Sequence, residues 1–141
     1  MMDDLVQFLR DRLAEDEQAA RAATWDEWDS AHWTAHHRAR YDGRWVIVDH
    51  AEEGVTELTP HAADDAGVAQ HIARHDPARV LREVEAKRRL LTDYEENAAD
   101  LDAQHAPDMD CVGRADGLET ALQHLATAYA DRPDYRDAWR P

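Results

Sequence analysis

Apolar residues recur at helical spacing over much of this chain and at strand spacing in one short stretch. Leu5, Phe8, Leu9, Leu13, Ala20 and Ala23 fall one or two helical turns apart, with charged residues between them. That pattern predicts an amphipathic helix over residues 3–23. Asp3 and Asp4 sit in its first turn, where negative charge suits the helix dipole. Residues 24–43 keep no period. They carry Trp25, Trp28 and Trp33 with His32, His36, His37 and Tyr41, and either continue the helix or run irregularly before a Tyr41-Asp42-Gly43 turn. Arg44-Trp45-Val46-Ile47-Val48-Asp49 is β-branched and aromatic; Val55-Thr56-Glu57-Leu58-Thr59 alternates; Glu52-Glu53-Gly54 links them. This predicts an antiparallel hairpin over 44–59. A lone hairpin is marginal in water, so it needs a covering helix or a further strand from residues 28–40.

After Pro60 the helical period returns. Asp64 or Asp65 can cap a helix over 64–75, and Asp76-Pro77 restarts the chain as N-cap and first helical residue. The next helix, 77–102, is lined by Val80, Leu81, Val84, Leu91 and Tyr94. Pro107 and Gly113 mark a loop over 103–116, and Leu118, Ala121, Leu122, Leu125 and Tyr129 line a last helix over 117–130. The tail, 131–141, holds Tyr135 and Trp139 and is expected to fold back on the helices. The prediction is a single α+β domain over 1–141, mostly helical, with about four helices and a small antiparallel hairpin or sheet between the first and second.

Charge narrows the function. The chain carries 31 acids against 16 bases, a net charge of -15. Direct nucleic-acid binding is disfavoured, because phosphates are neutralised by Lys and Arg. An anionic membrane is disfavoured for the same reason. The acidity suits a basic partner, a cation or solubility. It is also uneven. From Asp49 to Asp65 there are six acids and no Lys or Arg, whereas Arg79–Arg89 holds five bases and two acids. Cys111 is the single cysteine, so no intrachain disulfide forms. Met1-Met2-Asp3-Asp4 lacks the basic-then-apolar pattern of a leader, and no apolar run approaches the ~18 residues of a membrane span. A cytoplasmic location is the expectation.

Several segments carry a resemblance. Met2-Asp3-Asp4-Leu5-Val6-Gln7-Phe8-Leu9 at the start, His71-Ile72-Ala73-Arg74-His75-Asp76-Pro77-Ala78-Arg79-Val80-Leu81 with Glu83-Val84-Glu85-Ala86-Lys87-Arg88 in the centre, and Tyr129-Ala130-Asp131-Arg132-Pro133-Asp134-Tyr135 with Trp139 at the end are the residues concerned. Together they resemble a family of small actinobacterial and actinophage proteins of unknown function. Where that family often has a Pro-Gly-Pro-Trp turn after Ala-Thr, this chain has Trp25-Asp26-Glu27-Trp28 after Ala23-Thr24. The resemblance implies no activity.

Chemistry is sparse. His71 and His75 are four apart in a predicted helix, the spacing with which a helix grips one metal ion, and Asp76 can add an oxygen. His32 and His36 share the spacing and can complete a site for a divalent metal such as zinc. The Glu that supplies the base in a metallohydrolase helix is missing after His71, and His75 can instead meet the carbonyls ending its helix. Cys111 lies among acids, which oppose thiolate formation. Ser30, the only serine, has no nucleophile elbow and reads as a helix cap. The five glycines form no phosphate-cradling loop. No catalytic or cofactor-binding residue is assigned. Trp25 and Trp28, flanking Asp26-Glu27, and Arg82 and Arg89, seven apart on one helix face, are candidate interaction surfaces. The reading that follows is a small, acidic, non-enzymatic interaction or accessory protein with a protein partner or a second copy of itself. The alternatives are an acidic nucleic-acid mimic that occupies a DNA-binding partner, and a metal-binding protein or enzyme.

Overall fold

The computed structural model describes residues 1–38, 43–61 and 64–141. Its elements, in order, are helix α1 (Met2–Ala22), a 3-10 turn (Asp29–Ala31), strands β1 (Thr34–Arg38), β2 (Arg44–Val48) and β3 (Gly54–Glu57), helices α2 (Asp65–Arg74), α3 (Pro77–Asp102) and α4 (Met109–Thr127), and a second 3-10 turn (Asp137–Trp139). The fold is α+β, with the sheet between α1 and α2 in sequence, as the periodicity predicts. The expected Tyr41-Asp42 turn lies outside the described residues. By packing, the chain divides into two compact units: residues 16–83, and residues 1–15 with 84–141.

The unit of residues 16–83 is built on a three-stranded antiparallel sheet of order β1-β2-β3. β1 supplies the strand the hairpin lacked, pairing Thr34 with Val48 through to Arg38 with Arg44. On the other side Val46 pairs with Glu57 and Ile47 with Thr56, and the register then shifts so that Val48 meets Gly54. Directly opposed residues share a face, so Ala35 and Ile47 point the same way. Ile47 is fully buried against Ala69 and Ala73 of α2, with Trp33, Trp45, Leu58 and Ile72 around it. The two alanines, one helical turn apart, leave α2 no bulky side chain there and let it lie close on the strand. The Asp64 carboxylate caps α2 by accepting from the Gly67 N–H at 2.9 Å.

The break between α2 and α3 is built from local bonds. The His75 ring nitrogen Nδ1 lies 2.8 Å from the His71 carbonyl, which ends α2. Asp76 Oδ1 then accepts from the Arg79 N–H at 2.8 Å as the N-cap of α3, and Pro77 occupies the first helical position.

In the second unit Leu5, Phe8, Leu9 and Leu13 of α1, Val84 and Leu91 of α3, Leu122 and Ala126 of α4, and Trp139 are buried. The tail closes this core, as its aromatic content predicts. Trp139 is 2% exposed, with its ring 5.0 Å from Phe8 and 5.9 Å from Tyr135. Alternating charges fasten the same segment to α1: Arg136 to Asp4 at 2.7 Å, Asp134 to Arg12 at 3.1 Å, and Arg132 to Glu15. One boundary differs from expectation. α4 begins at Met109, eight residues before Gly117. Asp108 caps it by accepting from the Asp110 N–H, and Asn97 of α3 donates to the Cys111 carbonyl at 3.2 Å. These tertiary and capping bonds hold the first two turns, which the low helix propensity of Gly113 argued against.

Candidate interaction surface

The segment from Thr24 to Trp33 is irregular, yet much of its backbone is held by hydrogen bonds to the side chains of Asp26 and Ser30. Ser30 is fully buried, and its hydroxyl accepts from the N–H groups of Trp25 (2.9 Å) and Asp26 (3.1 Å). It donates to Asp26 Oδ1 at 3.1 Å, and that oxygen also accepts from the N–H groups of Ser30 (2.9 Å) and Trp28 (3.1 Å). Ser30 is thus a staple across the loop rather than a simple helix cap. The Asp26 carboxyl is held below its ordinary value, first by the Ser30 N–H and then by the Ser30 hydroxyl and neighbouring N–H groups, against some desolvation. Trp33 fixes the far end: its indole N–H donates to the Ser30 carbonyl at 2.7 Å, and its backbone N–H donates to Asp76 Oδ2 at 3.1 Å.

This locked loop displays two large aromatic rings. Trp25 is 53% and Trp28 52% exposed, while Trp33 and Trp45 lie against the Ile47 core. His32 stacks on Trp28 at 3.9 Å between ring centres, and its Nδ1 lies 2.8 Å from the Trp28 carbonyl. His50, two residues past β2, lies perpendicular to the Trp28 ring at 4.5 Å between ring centres, and its backbone N–H donates to the Asp29 carbonyl at 3.2 Å. The turn that follows, 50–53, is held by the buried Asp49, whose Oδ1 accepts from the Glu53 N–H at 2.9 Å. Glu52 there adopts a left-handed backbone, φ 63°. His50 has no periodicity or motif to mark it in the sequence; only the hairpin brings it to Trp28.

The other predicted site residues are placed as follows. The rings of His71 and His75 are 4.4 Å apart and both residues are exposed. His75 also lines a cavity of about 290 Å³ with Ala20, Ala23, Trp33, Pro77 and Val80. Both carboxylate oxygens of Asp76 accept backbone N–H groups. His32 and His36 lie on extended chain, not on a helix. Extended residues four apart are separated by roughly 13 Å, where a helix would separate them by about 6 Å. Among the described residues, no three His, Cys, Asp or Glu side chains group to hold a metal ion. On α3, Arg82 is exposed, while Arg89 pairs with Glu85 at 3.1 Å and Arg79 with Glu83 at 2.8 Å. Among the described residues no helix is long and apolar enough to cross a membrane.

No curated protein and no solved structure matches this chain. A family model does match, and over almost all of its length, so the expected membership of a family of unknown function is met. With residues 2–141 matched, the chain belongs to the Family of unknown function (DUF6221).

Proposed function

We propose that this chain is a non-enzymatic interaction protein that meets a protein partner through the loop carrying Trp25 and Trp28. One observation carries the reading: two half-exposed tryptophans stand on a loop whose backbone is immobilised by Asp26 and Ser30. Tryptophan is the residue most enriched among those that dominate binding energy. Covering the open half of each ring, roughly 100 Å² at about 25 cal/mol per Å², returns about 2–3 kcal/mol per ring. A loop already held in one conformation loses little entropy when it docks. The experiment is affinity capture from cell extract with the wild type, Trp25→Ala/Trp28→Ala and Arg82→Ala/Arg89→Ala. Proteins retained by the wild type and by the arginine variant, and lost from the tryptophan variant, are the expected result. A captured set indifferent to both tryptophans overturns the reading.

A second reading is favoured by one distance. His71 and His75, with rings 4.4 Å apart, are close enough to grip one divalent ion such as zinc. Asp76 would have to surrender a backbone bond to join them. Elemental analysis of untagged protein, beside His71→Ala/His75→Ala, tests it; no stoichiometric metal in the wild type eliminates it.

A further inference from the structure

Resting on the interaction reading above, we infer that the Trp25–Trp28 loop receives a basic segment of a partner protein, its Lys or Arg cations seated on the indole surface that Trp25 and Trp28 leave exposed and paired with carboxylates of the same loop and the neighbouring turn. Acids predominate at this place, with Arg38 the one base that shares a cavity with Glu52 among the described residues. Residues 22–37 contain no Lys or Arg and three acids, Asp26, Glu27 and Asp29. Residues 45–73 contain no Lys or Arg and six acids. The contacts of His50 with the Trp28 ring and the Asp29 carbonyl bring these two stretches together, so the acidic turn at 50–53 stands beside the tryptophan loop.

The carboxylates there divide into two sets. Asp26 and Asp49 are spent on backbone N–H groups and hold the loop and the turn in shape. Glu27, Glu52 and Glu53 are exposed and Asp29 is half-buried, and none of these four forms an ion pair among the described residues. Exposed indole surface on an acidic loop attracts a cation twice over. The ring quadrupole draws it to the face, most strongly for tryptophan, and the carboxylates neutralise it. A neutral apolar partner would leave four carboxylates to be desolvated without a counter-charge. A second copy docked patch to patch would set like charges together.

The probe is a capped hexa-arginine peptide titrated calorimetrically into the full chain at about 150 mM salt, where charges beyond ~8 Å are screened. Four variants are compared: Trp25→Ala/Trp28→Ala, Trp25→Phe/Trp28→Phe, Glu52→Gln/Glu53→Gln, and Asp100→Asn/Asp116→Asn, which removes two exposed acids from α3 and α4. Loss of two cation–π seats should weaken binding about 10-fold, with the phenylalanine pair between that variant and wild type. Glu52→Gln/Glu53→Gln should weaken it several-fold, while Asp100→Asn/Asp116→Asn leaves it unchanged. Circular dichroism confirms that each variant is folded, and the phenylalanine pair keeps the test alive if the alanine pair is not. Equal affinity for wild type and both tryptophan variants, equal weakening by the two acid-removing pairs, or no binding of hexa-arginine each overturns the inference. If hexa-arginine binding ignores the tryptophans while extract proteins still depend on them, the basic partner falls and the interaction reading stands. If neither depends on them, both fall.

Discussion

Replacing Ser30 by alanine removes one oxygen from the middle of the tryptophan loop. That oxygen accepts the Trp25 and Asp26 N–H groups at 2.9 and 3.1 Å and donates to Asp26 Oδ1 at 3.1 Å. A hydrogen bond of this kind contributes about 1 kcal/mol net, and a buried donor left without a partner costs more. Three such bonds give about 3 kcal/mol. Water can reach the exposed backbone at Trp25 and Asp26 once the loop loosens, which reduces the expected loss to about 2 kcal/mol. Urea unfolding followed by far-ultraviolet circular dichroism should show that loss as a lower midpoint with unchanged slope. Because Ser30 and Asp26 bond one another directly, the double variant Ser30→Ala/Asp26→Ala should be less destabilised than the sum of the singles. Hexa-arginine affinity should fall in Ser30→Ala although no tryptophan has changed, since the binding loop is no longer held in one conformation. A stability change under about 0.5 kcal/mol together with strict additivity would mean that the loop is not stapled by these bonds, and the structural basis for a preorganised surface would be lost.

Three further outcomes are expected. Trp139→Ala should cost about 3–5 kcal/mol in urea unfolding, as the truncation of a 2%-exposed indole, whereas Arg136→Ala, which breaks an exposed pair with Asp4, should cost under about 1 kcal/mol; comparable losses would show that charge rather than burial docks the tail. The Asp26 carboxyl is depressed below its ordinary 3.8 by the Ser30 and Trp28 N–H groups, so its contribution to loop order is complete above that value and is lost as pH falls through the folded value. Tryptophan emission titrated downward from pH 5 should therefore show a transition below pH 3.8 that Asp26→Asn lacks, and superimposable curves would refute the assignment. Tyr94 is pushed above its ordinary 10.0 by burial and by Glu119, Asp3, Asp102 and Glu95, so phenolate absorbance lost in Tyr94→Phe should develop only above pH 10; its appearance earlier would contradict the packing around the ring.

The local pattern was informative wherever one residue type has one dominant physical use. Leu5, Phe8, Leu9 and Leu13 at helical spacing are buried on α1, the β-branched run through Ile47 is the central strand, and Asp76-Pro77 divides α2 from α3 through the capping bond its chemistry requires. The C-terminal aromatics fold back because Trp139 and Tyr135 remove large apolar areas from water by packing on Phe8. Other features were ambiguous because local propensity and tertiary context disagree. Pro107 and Gly113 argued for a loop over 103–116, yet the Asp108 cap and the Asn97 bond begin α4 at Met109. Thr34–Arg38 has no clean alternation, and it is a strand because β2 offers it a ladder of backbone partners.

Four tryptophans between residues 25 and 45 look alike along the chain, each a large apolar side chain near charged neighbours. Their aromatic load marked the segment as important, and the acid excess marked what it would not bind. Which rings face inward was decided by tertiary structure alone. Trp33 and Trp45 close over Ile47 because the sheet turns them there, while Ser30 and Asp26, by bonding the loop backbone, hold Trp25 and Trp28 away from any core. Sequence periodicity dictates which side chains a helix or strand can bury; only the pairing of distant segments, here His50 with Trp28, determines which are left facing solvent together.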